Sequence, residues 1–347
     1  MSKTNRIRIK DIAKEAGVST ATVSRVLNNS NKVKAKTRWC VVKAIERLGY
    51  VPNHVARSLR VERVYSIGLI VPHDIDYLFS FPYFNLFIHH LAVEARSRGY
   101  HIIFTTTNGD ESVQLHKDFA MRRIVDGLVI LDVSDEDPRI DALTELGFPF
   151  VVIGRPNHRL SYLWVDTENE EGARKAVEHL VSLGHRMIHF VNGPQHLAVS
   201  RQRLEGYLKA LQKAHIVCDP TLIHNGEFTE ESGYAITKTI LRSDKVEAIF
   251  YASDTMAIGG IRALKEAGFK VGRDVSVVGF DNIPPASVVS PPLTTVAQPI
   301  ALVGTWAARL LIDLIEGNKP VPKSFPVELK LRKSTRGGVT VAGDQEF

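Results

Sequence analysis

The chain has 347 residues, 44% of them apolar and 24% charged, enough for two or three folded units with a sizeable core. Two cysteines, Cys40 and Cys218, are too few for a disulfide scaffold or a cysteine zinc site, and point to a reducing, cytoplasmic setting. No run approaches roughly 18 uncharged apolar residues, and the charged N-terminus is unlike a secretory leader, so neither a membrane span nor export is expected. The net charge of +6 is unevenly placed: residues 1–63 carry 15 basic and four acidic side chains, which leaves the remainder at −5. A basic head on a mildly acidic body fits either a polyanion partner for the head or a well-solvated, Lys-rich helical surface.

In the head, Ile9, Ile12, Ala13 and Ala16 share one face at helical spacing over residues 9–16. Gly17 then supplies a left-handed turn. Ser19 is placed to N-cap a second helix, Thr20 to Asn28, with Val23, Val26 and Leu27 inward. Two short helices about a glycine make a helix-turn-helix. A third helix is expected over Lys36 to Leu48, with Val41, Val42, Ala44, Ile45 and Leu48 inward and Gly49 as its stop.

The run IKDIAKEAGVSTATVSRVLNN, continued by KTRWCVVKAIERLGYVPNHVARSLR, resembles the lactose-repressor (LacI/GalR) family. The resemblance implies a homodimeric bacterial transcription regulator, a repressor on a pseudo-palindromic operator, whose body binds a small effector. The N-terminal end of a recognition helix enters the major groove, which puts Thr20, Ala21 and Arg25 toward base edges, at positions matching those that set specificity in the family. Arg25 suits a bidentate contact to guanine, and the short Thr20 and Ala21 suit a thymine methyl. Ser19, Thr22, Ser24 and Asn28 are better placed for phosphates, with capping and solvation as the alternative for Ser19 and Thr22. Arg8 stands where the family usually has an N-capping Thr, and Lys34 where it often has Ser. Residues 52–60 match the family's hinge, a segment of about nine residues, too short to be a stable helix alone in water. The resemblance makes Leu59 the side chain pushed into a base step in the minor groove, with Ala56 beside it and Asn53, His54 and Arg57 near the backbone. The alternative for Leu59 is an interdomain core.

From Tyr65 onward β-rich runs alternate with amphipathic stretches. Ser66–Val71, His101–Thr105, Gly127–Leu131, Val151–Ile153, Met187–Val191, Ala248–Tyr251 and Val275–Gly279 read as strands. Leu86–Arg98, Glu170–Leu183, Arg203–Ala214, Glu230–Leu241 and Met256–Ala267 read as helices. Such alternation specifies parallel sheets covered by helices. The fold class is therefore α/β, a two-lobed body of the periplasmic-binding-protein kind with a small all-α helix-turn-helix head. The expected divisions are 1–50 for the head, 51–63 for the hinge and 64–347 for the body. One lobe takes about 64–163 plus 293–324 and the other about 164–292 plus 325–347.

Ligands in open α/β sheets bind at the carboxyl ends of strands. After the first strand comes an aromatic loop, in which Phe81 replaces the family's customary Asn. Tyr83 or Phe84 is either a platform for a sugar ring or the packed start of a helix. Arg155, after the strand Val151–Gly154, and Arg203, in Arg-x-x-Gly, match effector-contacting arginines, whose planar forks suit paired hydroxyls; surface ion pairing is the plainer role. Asp281 and Asp254 end two strands and suit hydroxyl donors, though Asp254 also opens a helix. Phe228 and Gln298 complete the family's set, with Asp132 and Ser134 as weaker candidates. The effector is expected to be a sugar or glycoside. No P-loop, G-x-G-x-x-G or H-E-x-x-H is present, and the neighbouring His89 and His90 would point to different faces of a helix. No enzyme activity, cofactor or metal is expected.

Overall fold

The computed structural model describes residues 7–27, 32–50, 63–73, 78, 81–107, 111–156, 162–242 and 245–336. Asn28 and the hinge positions Asn53, His54, Ala56, Arg57 and Leu59 lie outside them. The chain divides into two compact units between Val64 and Tyr65.

The head is built from α1 (Ile9–Glu15), α2 (Thr20–Leu27) and α3 (Ala35–Leu48). Gly17, at φ +64°, turns the chain between α1 and α2, and Gly49, at φ +60°, ends α3. Ile12, Val23 and Val41 are fully buried and pack with Ala13, Val26 and Ala44, each large side chain contributing about 1.5–3 kcal/mol of burial. Val42, expected inward, is 40% exposed. The three-helix core is closed by Val41, Ala44 and the half-buried Ile45 and Leu48, and Val42 falls on the next face round. The Ser19 hydroxyl accepts the Thr22 amide at 3.2 Å and lies 3.0 Å from the Thr22 hydroxyl, so it caps α2. Arg8 and Lys34 cap α1 and α3 with no side-chain hydrogen bond. The Asp11 carboxylate instead accepts the Arg8 amide at 2.8 Å.

The body opens with β1 (Ser66–Val71), α4 (Pro82–Ser97), β2 (His101–Thr106), α5 (Ser112–Met121), β3 (Gly127–Ile130), α6 (Pro138–Glu145), β4 (Phe150–Ile153) and β5 (Leu163–Thr167). It continues with α7 (Asn169–Ser182), β6 (Ile188–Asn192), α8 (Ala198–Lys213), β7 (Ile223–Asn225), α9 (Glu230–Ile240), β8 (Ala248–Tyr251), α10 (Asp254–Glu266), β9 (Ser276–Asp281), α11 (Pro284–Val288), β10 (Thr294–Ala297), α12 (Ile300–Ile315), β11 (Lys323–Phe325) and β12 (Glu328–Lys330). The strands form two six-stranded sheets, ordered β11-β5-β4-β3-β1-β2 and β12-β10-β9-β8-β6-β7. Every neighbouring pair is parallel except β10 with β12. The central strands β1, β3, β6, β8 and β9 are buried along their whole length, as strands covered by helices on both faces must be.

Two boundaries differ from the sequence reading. Residues 163–167 form a strand of the first sheet rather than a join between lobes, and 294–297 belong to the second sheet rather than the first. β10 is held there by pairing with β9 and by Thr294 and Thr295, which are fully buried and hydrogen-bonded within that lobe. The chain thus passes between lobes at residue 168, at 298–299 and at 326–327. In each sheet the strand order reverses beside the first strand, between β1 and β3 and between β6 and β8. A crevice opens at the carboxyl end of such a switch point.

Candidate functional site

The crevice lies between the two sheets, and its inner part is a cavity of about 100 Å³. From the first lobe Phe81, Tyr83, Phe84, Asp132, Asp166 and Thr167 line it. From the second come Asn169, Arg203, Phe228, Ser253, Asp281 and Gln298. Sequence reasoning selected Tyr83, Phe84, Asp132, Arg203, Phe228, Asp281 and Gln298, and the fold brings all seven to this one cavity.

Phe84 serves both roles left open for it: it is buried in the lobe core and also faces the cavity. Tyr83 is half-buried, edge-on to Phe84 with centroids 5.8 Å apart. Burial and then the nearby Asp281 carboxylate push its phenol well above the usual range.

Arg203 sits in the second turn of α8, not at its start. Its Nε donates to Asn169 Oδ1 at 3.1 Å and one Nη donates to the Ala252 carbonyl. The guanidinium lies over the Phe280 ring at 3.9 Å, and its other Nη is 3.8 Å from Asp281 Oδ1. A rigid fork held on three sides is positioned before any ligand arrives. Phe228 takes a left-handed conformation, φ +59°, and its ring fills the space above Gly193, where an added Cβ would stand 2.1 Å from the ring.

Asp281 ends β9 at φ +121°. Gln298 Nε2 donates to its Oδ1 at 2.7 Å, while Gln298 Oε1 accepts the Thr167 hydroxyl at 2.6 Å, so one amide joins the strand ends of both lobes. Burial pushes the Asp281 carboxyl up to about 6, with Arg203 and the Gln298 hydrogen bond opposing. Burial likewise raises Asp166 to about 6, against the Thr167 amide that it accepts at 2.7 Å.

Three candidates stand apart from this cavity. Asp254 is fully buried behind it, accepting the Thr295 hydroxyl at 2.5 Å and the Ile283 amide at 3.0 Å. It ties α10 to the chain after β9, while Ser253 is the helix cap. Arg155 is exposed beyond the Gly154 turn, 5.5 Å over the Trp164 ring, and lines an adjoining crevice with Arg201 and Glu205 that shares Asp166, Thr167 and Asn169 with the cavity. Ser134 faces a neighbouring cavity and bridges to Leu197. Phe81, Asp166, Thr167, Asn169 and Ser253 were not anticipated. The sequence division placed Asp166 and Thr167 in the other lobe, whereas they end a strand of the first sheet and line the cleft.

On the head, Thr20, Ala21 and Arg25 are exposed along α2, and Thr22 and Ser24 are half-buried. Among the described residues no group of three His, Cys, Asp or Glu is placed to hold a metal ion, and no helix is long and apolar enough to cross a membrane.

Residues 8–53 match the model for bacterial regulatory proteins of the lacI family, and residues 177–335 match that for a periplasmic binding protein-like domain. The chain is 36% identical over 336 residues to the HTH-type transcriptional regulator CelR of Thermobifida fusca, spanning 95% of this chain and 98% of that one. It is also 36% identical over 338 residues to the HTH-type transcriptional repressor PurR of Actinobacillus pleuropneumoniae serotype 3 (strain JL03), at 94% and 98%. Among solved structures, the lac repressor dimer bound to operator and the anti-inducer ONPF superposes with a TM-score of 0.84 at 30% identity, over 96% of this chain and all of that one. A CelR–cellobiose complex superposes at 0.74 with 35% identity, over 95% and 100%.

Proposed function

Because the chain belongs to the LacI family of bacterial regulatory proteins and is a transcriptional regulator, we propose that it is a cytoplasmic repressor released from its operator by a sugar or glycoside. Two copies present their α2 helices to the half-sites of a pseudo-palindromic operator. Thr20, Ala21 and Arg25 meet base edges there, while Ser19, Thr22, Ser24 and Asn28 hold phosphates. Leu59, with Ala56 beside it, takes the minor groove between the half-sites, and Asn53, His54 and Arg57 meet the backbone there.

The effector enters the interlobe cavity. The observation that carries this is the conjunction of a buried fork, Arg203, and a buried carboxylate, Asp281, opposite the aromatic faces of Tyr83 and Phe84. Carboxylate and guanidinium together accept from and donate to neighbouring hydroxyls, and ring C–H faces suit an aromatic wall. Asp132, Phe228 and Gln298 border the same space. Arg155, Ser134 and Asp254, expected among the effector contacts, do not line this cavity.

The test is a binding selection of random duplex by the purified protein, followed by thermal-shift screening against mono- and disaccharides and hypoxanthine. A two-fold-symmetric site whose occupancy falls when a sugar binds is the expected result. No preference for any symmetric site, or a response to hypoxanthine alone, overturns the reading.

A further inference from the structure

Helix α8 belongs to the second lobe, yet its start is fastened to the first. The Ala198 amide donates to the Val133 carbonyl at 3.0 Å, and Leu197 and Ser134 form an antiparallel bridge beside it. Ala198 is 1% exposed and packs in the same hydrophobic cluster as Val133, Phe150 and Val152 of the first lobe. Three residues on, Arg201 grips Asp135 with two hydrogen bonds, Nε to Oδ2 at 2.8 Å and Nη2 to Oδ1 at 3.3 Å. Gln202, buried, donates from Nε2 to the Arg155 carbonyl at 2.9 Å.

These contacts differ in kind from those at the three crossings between lobes. They lie along α8 and not at a joint of the chain, so a rotation of one lobe about the crossings must break them while the crossings stay intact. The Asp135–Arg201 pair is the charge-assisted member, and a two-pronged fork fixes geometry as well as adding energy. Its side chains are 24% exposed on Arg201 and 35% on Asp135, and Glu205 of the same helix holds Arg201 Nη1 at 2.6 Å. The guanidinium is thus kept aimed across the cleft by its own lobe. Arg203, two positions on, lines the cavity. A rotation that parts Arg201 from Asp135 therefore also draws Arg203 away from the aromatic faces of Tyr83 and Phe84.

We infer that the start of α8 is a latch between the lobes, closed by the Asp135–Arg201 fork, and that its strength sets how often the cleft opens. Opening is an excursion of the folded body, so the latch acts on the equilibrium between two arrangements and not on folding as a whole. The inference stands whatever the effector proves to be.

Hydrogen exchange on the full chain, resolved to single amides by electron-transfer fragmentation, tests it. The Ala198 amide reports opening because its partner is the Val133 carbonyl of the other lobe, and exchange follows the opening equilibrium even when the open form is rare. Asp135→Asn and Arg201→Gln should each speed that amide about two- to fivefold, the range of a partly exposed ion pair. Arg201→Glu, which sets like charges face to face, should speed it about tenfold or more. Adding Asp135→Arg to Arg201→Glu should return it to within about twofold of the parent. Throughout, the amides of Tyr207 to Ala210, within α8, should keep the parent's rate to within about twofold. Equal rates in the parent and every variant overturn the inference. So does acceleration in the Arg201 variants without any in Asp135→Asn, which is fraying of α8 alone, or a charge exchange that fails to restore the parent's rate.

Discussion

Replacing Asp281 by Asn should make the protein more stable at neutral pH while weakening its grip on the effector. Burial holds the Asp281 proton up to about 6, against an ordinary 3.8, so ionised Asp281 costs the folded chain about 3 kcal/mol, taking about 1.4 kcal/mol per pH unit. Between 6 and 4 the folded form keeps a proton that the unfolded form releases. That cost is therefore present in full above 6 and disappears as pH falls toward 4, the reverse of a salt-bridged carboxylate. An amide keeps an acceptor for Gln298 and carries no charge. Guanidinium denaturation followed by tryptophan fluorescence should show the variant more stable than its parent by up to about 3 kcal/mol at pH 7.5, and by only about 0.6 kcal/mol at pH 4. Charge-assisted hydrogen bonds contribute about 1.5–3 kcal/mol, so effector affinity should fall about 10- to 100-fold. A variant less stable than the parent at pH 7.5, or a difference that stays constant between pH 7.5 and 4, refutes the account of a carboxylate kept charged at the fold's expense.

In the unmodified protein, effector affinity should decline as pH is lowered through about 6, because Asp281 then loses its charge; calorimetry at pH 7.5 and 5 reads this directly. Arg25→Ala should relax preference at a single base pair, at a cost of about 1–3 kcal/mol, in a binding-site selection; an equal loss over all sequences would assign Arg25 to phosphate. Arg8→Thr restores a capping hydroxyl to α1 and should stabilise the head by about 0.5–2 kcal/mol, while weakening nonspecific DNA binding at low salt. Leu59→Ala should lower operator affinity and reduce DNA bending in a circular-permutation gel assay, with effector affinity unchanged. Unaltered bending would end the minor-groove role.

The head was legible nearly to the residue, since Ile9 with Ile12 and Ala13, Val23 with Val26, and Val41 with Ala44 each sit at helical spacing within their own helix and Gly17 and Gly49 punctuate them. The central strands were equally plain, because burial on both faces leaves continuous apolar runs. The crossings were harder to see. β5 ends in Asp166 and Thr167, and β10 begins with Thr294 and Thr295, polar residues that look like linker until the sheet and the cleft give each a partner. α12 went unassigned although it packs on both α4 and the first sheet, since its apolar residues run almost all round and obscure the period. Asp254 and Asp281 have the same signature in sequence, an aspartate closing a strand. Only the fold separates the one that braces α10 from the one that faces the cleft. Arg155 misled for a related reason: the strand end was located correctly, but Gly154, at φ +95°, swings the next side chain outward.

The three passages between lobes are short, and two of them contain a proline, Pro299 and Pro326. A pyrrolidine ring removes one of the two soft torsions at its position. Sliding one lobe across the other would require slack that these tethers lack, which leaves a jaw-like rotation about a line through residues 168, 298 and 327 as the accessible movement. The Gln298 side chain joins the two lobes beside that axis, and for a given angle the rims farthest from the axis travel farthest.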